Sequence, residues 1–260
     1  MGKIHLIIAV LILLASNTSV FAKSIGNFKS YKQVTDKEIL IETTNGSKVL
    51  FSAYNNFAIG VVAANADEEV TLTAPASISE RSDLNGSMYV EELDDLMQIT
   101  TTNEDGLVIK IDKTPLRFTF VDKSNSEVFF EEGIKFNSKS NNLDLSIENG
   151  EELKLLSSNN YEWNTLAIKM GDVINYTKYN EFLYPDNEIC MLSSKGYAIV
   201  LNSEMKHEID FSKSEKLKIA TEPSENNKVG FLLVYGEQQP ELVAKYAFHS
   251  TPFDSQISLK

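Results

Sequence analysis

Two stretches near the end of the chain decide the fold: Ser193–Phe211, SSKGYAIVLNSEMKHEIDF, and Asn226–Pro252, NNKVGFLLVYGEQQPELVAKYAFHSTP. Lys195-Gly196 reads as a hairpin turn leading into Tyr197. Tyr197–Leu201 and Val229–Tyr235 are apolar at nearly every position, so both of their faces are expected to be covered and both strands should lie centrally in a sheet. After the second of them, Pro240 suits the first turn of a short helix. Leu242, Tyr246 and Ala247 then form an apolar stripe able to close one end of a sandwich.

Working outward, the pattern has period two. Val49, Phe51 and Ala53 alternate with Lys48, Leu50 and Ser52; Leu107, Ile109 and Ile111 alternate with Val108, Lys110 and Asp112; Leu116, Phe118 and Phe120 alternate with Arg117, Thr119 and Val121. Such alternation puts one side of each strand in a core. Asn45-Gly46, Asn85-Gly86, Asp105-Gly106 and Asn149-Gly150 punctuate the strands, because these residues tolerate the positive φ of tight turns. Many short strands at short spacing predict an all-β chain, an antiparallel β-sandwich with a short C-terminal helix. Residues 23–36 read as a polar lead-in and 37–260 as a single sandwich domain, with no repeat or Pro-rich linker between them.

The first 22 residues read as a secretory signal peptide. Lys3 is followed by an unbroken apolar run from Leu6 to Ala15 and by Val20-Phe21-Ala22, a small-residue cleavage site. Ten apolar residues fall short of the roughly 20 that a membrane-spanning helix needs. Cleavage is expected after Ala22, giving a secreted or periplasmic chain of 238 residues with 23 basic and 37 acidic side chains and no membrane span. That charge opposes binding to nucleic acid or anionic lipid. Cys190, the one cysteine, cannot form an internal disulfide, and its apolar neighbours Ile189, Met191 and Leu192 point to burial.

Three stretches carry a family likeness. Thr101–Glu132, TTNEDGLVIKIDKTPLRFTFVDKSNSEVFFEE, has two consecutive strands with a Pro-Leu opening the second, then a turn and a third strand. Tyr161–Asn164, YEWN, precedes Tyr184-Pro185 by some 20 residues, and the terminal segment quoted above completes the series. In this order they resemble the N-terminal β-sandwich of glycoside hydrolase family 31, the α-glucosidase and α-xylosidase family. The resemblance implies a galactose-mutarotase-like supersandwich. In the family this domain packs on a catalytic barrel and lends a loop to the rim of the sugar pocket. Two departures stand out. Leu153-Lys154-Leu155-Leu156-Ser157-Ser158 replaces the family's Gly-Leu-Gly-Glu segment, and Leu166 stands where the family commonly has an Asp, two residues after the Asn.

Glycoside hydrolysis needs two carboxylates flanking the bond. The doublets Glu91-Glu92, Asp94-Asp95, Glu131-Glu132 and Glu151-Glu152 do not supply them, because adjacent strand residues point to opposite faces; they read as solvated edges and loops. The family's catalytic carboxylates lie on the barrel, so no catalytic residue is assigned. His207 and His249 show no paired-base pattern and read as surface or end-packing residues, and no zinc site or other cofactor is expected from them. Sugar binding is the remaining concrete chemistry. Trp163 and Asn164, flanked by Tyr161, combine an aromatic face for a pyranose with an amide for its hydroxyls; burial of the single Trp as a core anchor is the other reading. The expectation is a secreted, non-catalytic carbohydrate-binding or accessory domain. The alternatives are an interaction module pairing with a separate hydrolase barrel or envelope protein, and a truncated piece of an α-glucosidase.

Overall fold

Inward-pointing side chains from two stacked antiparallel sheets make the main core: Ile39, Val49, Phe51, Ile59, Ile199 and Leu233 from one, Met97, Ile109, Ile111, Phe118, Phe120 and Ile219 from the other. The computed structural model describes residues 23–55, 57–70, 87–102, 106–122, 127–136, 140–159, 162–175, 189–201, 207–213, 215–222 and 228–236. Every regular element among them is a strand.

The described residues begin with β1 (Lys23–Ser24), then a meander of β2 (Phe28–Gln33), β3 (Glu38–Thr43), β4 (Lys48–Asn55) and β5 (Ala58–Ala64). A second meander follows: β6 (Met88–Glu92), β7 (Leu96–Thr101), β8 (Val108–Lys113), β9 (Leu116–Val121), β10 (Glu127–Phe136) and β11 (Asn141–Ser146). From there the chain alternates between the sheets through β12 (Leu153–Asn159), β13 (Glu162–Ile168), β14 (Val173–Asn175), β15 (Ile189–Ser193), β16 (Tyr197–Leu201), β17 (His207–Lys213), β18 (Lys216–Thr221) and β19 (Lys228–Tyr235). The nine-stranded sheet runs β13-β12-β15-β16-β19-β5-β4-β3-β2. The ten-stranded sheet runs β14-β17-β18-β11-β10-β9-β8-β7-β6, with β1 added against β10.

The period-two stretches behave as their sequence predicts. Ile109 faces Phe120 and Ile111 faces Phe118 in the β8–β9 pair, and all four are fully buried. Phe51 meets Phe118 edge-on across the core with ring centroids 5.1 Å apart, and Phe120 meets Phe231 at 6.4 Å, so aromatic contacts tie the two layers together. The two apolar stretches, Tyr197–Leu201 in β16 and Val229–Tyr235 in β19, are neighbours in the middle of the nine-stranded sheet. Their second face is buried too, and with its neighbours forms a smaller cluster on the side away from the main core: Ala58, Leu156, Cys190, Leu192, Ala198, Val200, Leu232 and Val234. Cys190 is therefore buried and forms no disulfide.

Residues 23–36, polar by composition, are not a simple lead-in: they contain β1, paired with β10, and β2, paired with β3. β2 is an edge strand with five of its six side chains exposed, so no alternation marks it in the sequence. The segment expected to form the C-terminal helix lies outside the described residues, as do residues 1–22.

Candidate functional site

β13 carries two of the three residues predicted to bind sugar. It is the outermost strand of the nine-stranded sheet, with Trp163 opposite Ser158 and Asn164 opposite Ser157 in β12. Among the described residues no strand pairs with its outer side. Tyr161 lies outside the described residues. The Leu-rich stretch that departs from the family pattern forms β12 itself. Leu153 and Leu155 enter the main core and Leu156 the outer cluster. Its apolar residues are thus consumed by two layers of packing.

The described concavity lies at the other end of this hairpin. A cleft of about 420 Å³ opens between the turn 147–152, which carries the chain from β11 to β12, and residues 167–170 at the end of β13. Ile147, Leu153, Ile168 and Phe211 supply its apolar wall, and Glu148, Glu151, Glu152, Glu215, Lys154 and Lys169 its charged rim. Trp163 is five residues from Ile168 along β13, about 17 Å at the usual strand rise. The structure therefore does not bring Trp163 and Asn164 to this cleft.

Glu151 organises the cleft's floor. Its Oε1 accepts hydrogen bonds from Ser193 Oγ and from Tyr197 Oη, both at 2.5 Å, and its Oε2 accepts one from the Glu148 backbone N–H at 3.0 Å. Gly150, at φ 86°, allows the turn that brings the carboxylate back. Lys195, from the β15–β16 turn, pairs with Glu148. Tyr197 is fully buried; burial first, and the Glu151 charge beside it second, push its phenol well above its ordinary pKa, so it remains a hydrogen-bond donor. A hydrolytic acid or nucleophile needs a carboxylate oxygen turned toward substrate. Both Glu151 oxygens instead face donors of the protein, and the group's work is to lock the sheet-joining β11–β12 turn to the β15–β16 hairpin. Sequence reading missed this, because the Glu151-Glu152 doublet looked like a solvated loop. The available signal was the pair of glycine turns, Asn149-Gly150 and Lys195-Gly196, each beside a residue that joins the knot.

The remaining candidates are placed as follows. His207, expected at a surface or end-packing position, is buried on β17 directly opposite Thr221, with Nδ1 3.0 Å from Thr221 Oγ1. His249 lies outside the described residues. Glu91, Glu92, Asp94 and Asp95 are exposed, as loop and edge carboxylates should be. Among the described residues no group of three or more His, Cys, Asp or Glu is placed to hold a metal ion.

No protein-family model and no curated protein matches the chain. Solved structures do. A GH31 dextranase from Flavobacterium johnsoniae, complexed with glucose, matches with a TM-score of 0.70 over 87% of this chain and 28% of its own, at 19% identity. The cycloalternan-forming enzyme from Listeria monocytogenes, in complex with a pentasaccharide substrate, matches with 0.65 over 87% of this chain and 22% of its own, at 15% identity. A GH31 α-xylosidase from a soil metagenome, complexed with xylose, matches with 0.60 over 84% and 34%, at 13% identity. The fold is the GH31 β-sandwich. At these identities the likeness is one of fold, and this chain spans between a fifth and about a third of the length of those enzymes. No barrel strand or helix is found among its described residues.

Proposed function

We propose that this chain is an exported, non-catalytic domain that binds carbohydrate or serves as an accessory piece to carbohydrate-processing enzymes. The observation that carries the reading is the match of 84–87% of the chain to one domain-sized portion of enzymes whose structures hold glucose, xylose or an oligosaccharide. Trp163 and Asn164, on the outermost strand β13, are the residues to test. Export is supported by Lys3, the Leu6–Ala15 apolar run and the small-residue stretch Val20-Phe21-Ala22. Titration of the mature chain with gluco-oligosaccharides and xylose by calorimetry tests the binding. The expected dissociation constant is about 0.1–1 mM, that is, about 4–5.5 kcal/mol. It should weaken at least tenfold in Trp163→Ala. Absence of heat with every sugar, or unchanged affinity in a folded Trp163→Ala, removes the binding part. N-terminal sequencing of the exported protein should begin at Lys23; a start at Met1 removes the export part.

A second reading, pairing with a separate protein, is favoured by the exposed Met170 and Val173, which lie beside the cleft and on the edge strand β14. Charged substitutions at both positions should abolish a heterocomplex with a hydrolase barrel from the same host. A complex that persists in the double variant rejects this surface.

A further inference from the structure

Two of the chain's three Asn-Gly pairs lie among the described residues, and their surroundings are opposite. An asparagine followed by glycine is chemically labile, because no side chain on the glycine shields its nitrogen from the asparagine amide carbon. Whether the pair reacts depends on how firmly both groups are held. Asn45 is held on every side. Its Oδ1 accepts from Thr43 Oγ1 at 2.8 Å and from the Ser47 N–H at 3.1 Å, and its Nδ2 donates to the Ser24 carbonyl at 2.7 Å. The Gly46 N–H donates to the Thr43 carbonyl at 2.9 Å, closing the β3–β4 turn. Ala66 crowds this glycine: a Cβ at position 46 would lie 3.0 Å from Ala66 Cβ.

Asn149-Gly150 sits differently in its turn. The Glu151 N–H donates to the Glu148 carbonyl at 3.0 Å, so Asn149 and Gly150 are the two central residues of a β-turn. The φ of Gly150, 86°, is that of the third position of a type II turn. The turn's bond uses the donor of Glu151, which leaves the Gly150 N–H outside it. Among the described residues neither that N–H nor the Asn149 side-chain amide has a hydrogen-bond partner. Both residues are exposed on the rim of the cleft, and a Cβ built on Gly150 would meet nothing within 4 Å, so solvent reaches the peptide between them.

We propose that Asn149 is a site of spontaneous deamidation and that its product loosens the Glu151 knot. Hydroxide takes the proton from the Gly150 nitrogen, which attacks Asn149 Cγ. The new N–Cγ bond closes a succinimide ring as the Cγ–Nδ2 bond breaks and ammonia leaves with a proton from water. Water then opens the ring: at Cγ it yields aspartate, and at the backbone carbonyl it yields isoaspartate. Either product sets a further carboxylate beside Glu148, Glu151 and Glu152, and isoaspartate adds one atom to the backbone inside the turn. The bond from the Glu148 N–H to Glu151 Oε2 spans these same residues, so the lengthened turn draws the carboxylate away from Ser193 and Tyr197.

Incubation of the mature chain at about pH 8.5, followed by peptide mass spectrometry, tests both parts. The mass gain of one amide-to-acid exchange should appear at Asn149 at least about tenfold faster than at Asn45, since a loosely held turn opens more readily than a bonded one. The rate should rise about tenfold per pH unit, as attack by a deprotonated nitrogen requires. An Asn149 as slow as Asn45, or a rate indifferent to pH, overturns the site. Asn149→Gln, whose longer side chain must close a six-membered ring, should abolish the gain in this peptide. A gain that persists at the same rate overturns the site too and moves it to Asn141 or Asn142. Isoaspartyl protein, separated by anion exchange, should unfold at a lower urea concentration than the unmodified chain, in the direction expected of Glu151→Ala. Coincident midpoints overturn the link to the knot.

Discussion

Replacing Glu151 by Ala removes the single acceptor on which two buried hydroxyls converge. Ser193 and Tyr197 are at most 1% exposed, and both donate to Glu151 Oε1. A buried donor left without a partner costs about 1–3 kcal/mol. Ser193 Oγ keeps its bond from the Lys195 N–H, and the half-buried carboxylate site can admit water, which lowers its share of the loss. The expected destabilisation is thus about 3 kcal/mol, most of it from Tyr197. With a urea m-value of about 3 kcal/mol/M for a chain of this size, the unfolding midpoint should fall by about 1 M. Tyr197→Phe alone removes one donor and leaves the carboxylate its other two, so about 1 kcal/mol is expected. In the Tyr197→Phe background, Glu151→Ala should cost less than it does alone, a coupling of about 1–2 kcal/mol. Urea titrations of the four proteins, followed by far-UV circular dichroism and by tryptophan fluorescence, measure the cycle. A Glu151→Ala midpoint within 0.2 M of wild type, or strictly additive single effects, would refute the claim that this carboxylate locks the turns (thresholds of about 0.5 kcal/mol).

Phe118→Ala, at a fully buried ring in edge contact with Phe51, should cost about 3–5 kcal/mol in the same titration; a loss below 1 kcal/mol would show that the two layers do not meet there. Tyr54→Phe should leave stability unchanged or raise it by up to about 1 kcal/mol, because Tyr54 Oη is buried with no hydrogen-bond partner among the described residues; a clear loss would reveal one. Alkaline pH should weaken the fold. The phenols of Tyr197 and Tyr54 are both raised above their ordinary value near 10, chiefly by burial, so their contribution is intact below pH 10 and declines as pH rises beyond it, where the unfolded phenols ionise and the folded ones resist. Urea midpoints from pH 8 to 11.5 should be flat and then fall, with a shallower fall in Tyr197→Phe; equal slopes in the two proteins contradict the assignment. Gly230→Ala should destabilise by about 1–3 kcal/mol, since a Cβ there would sit 2.9 Å from Val62 Cγ2 and 3.0 Å from the Val61 carbonyl oxygen; a neutral result would mean that β5 and β19 can separate at no cost.

The strands and their inward faces were legible in the chain, because a side-chain period of two is a local property. Val49-Phe51-Ala53 and Leu116-Phe118-Phe120 need only their own neighbours to declare a core side. The same holds for the central place of Tyr197–Leu201 and Val229–Tyr235, since a strand apolar on both faces has no side it can show to water. What tertiary structure alone decided lies between distant residues. Glu151 meets Ser193 and Tyr197 across more than 40 positions, and only the stacking of two turns makes a solvated-looking acid into a structural acceptor. His207 became a buried partner of Thr221 through the β17–β18 register, and the polar stretch at 28–33 became an edge strand because β3 offered it a free backbone. Periodicity reports which side of a strand avoids water, whereas the pairing of polar groups depends on strand order and register, and those are set only when the whole sheet assembles.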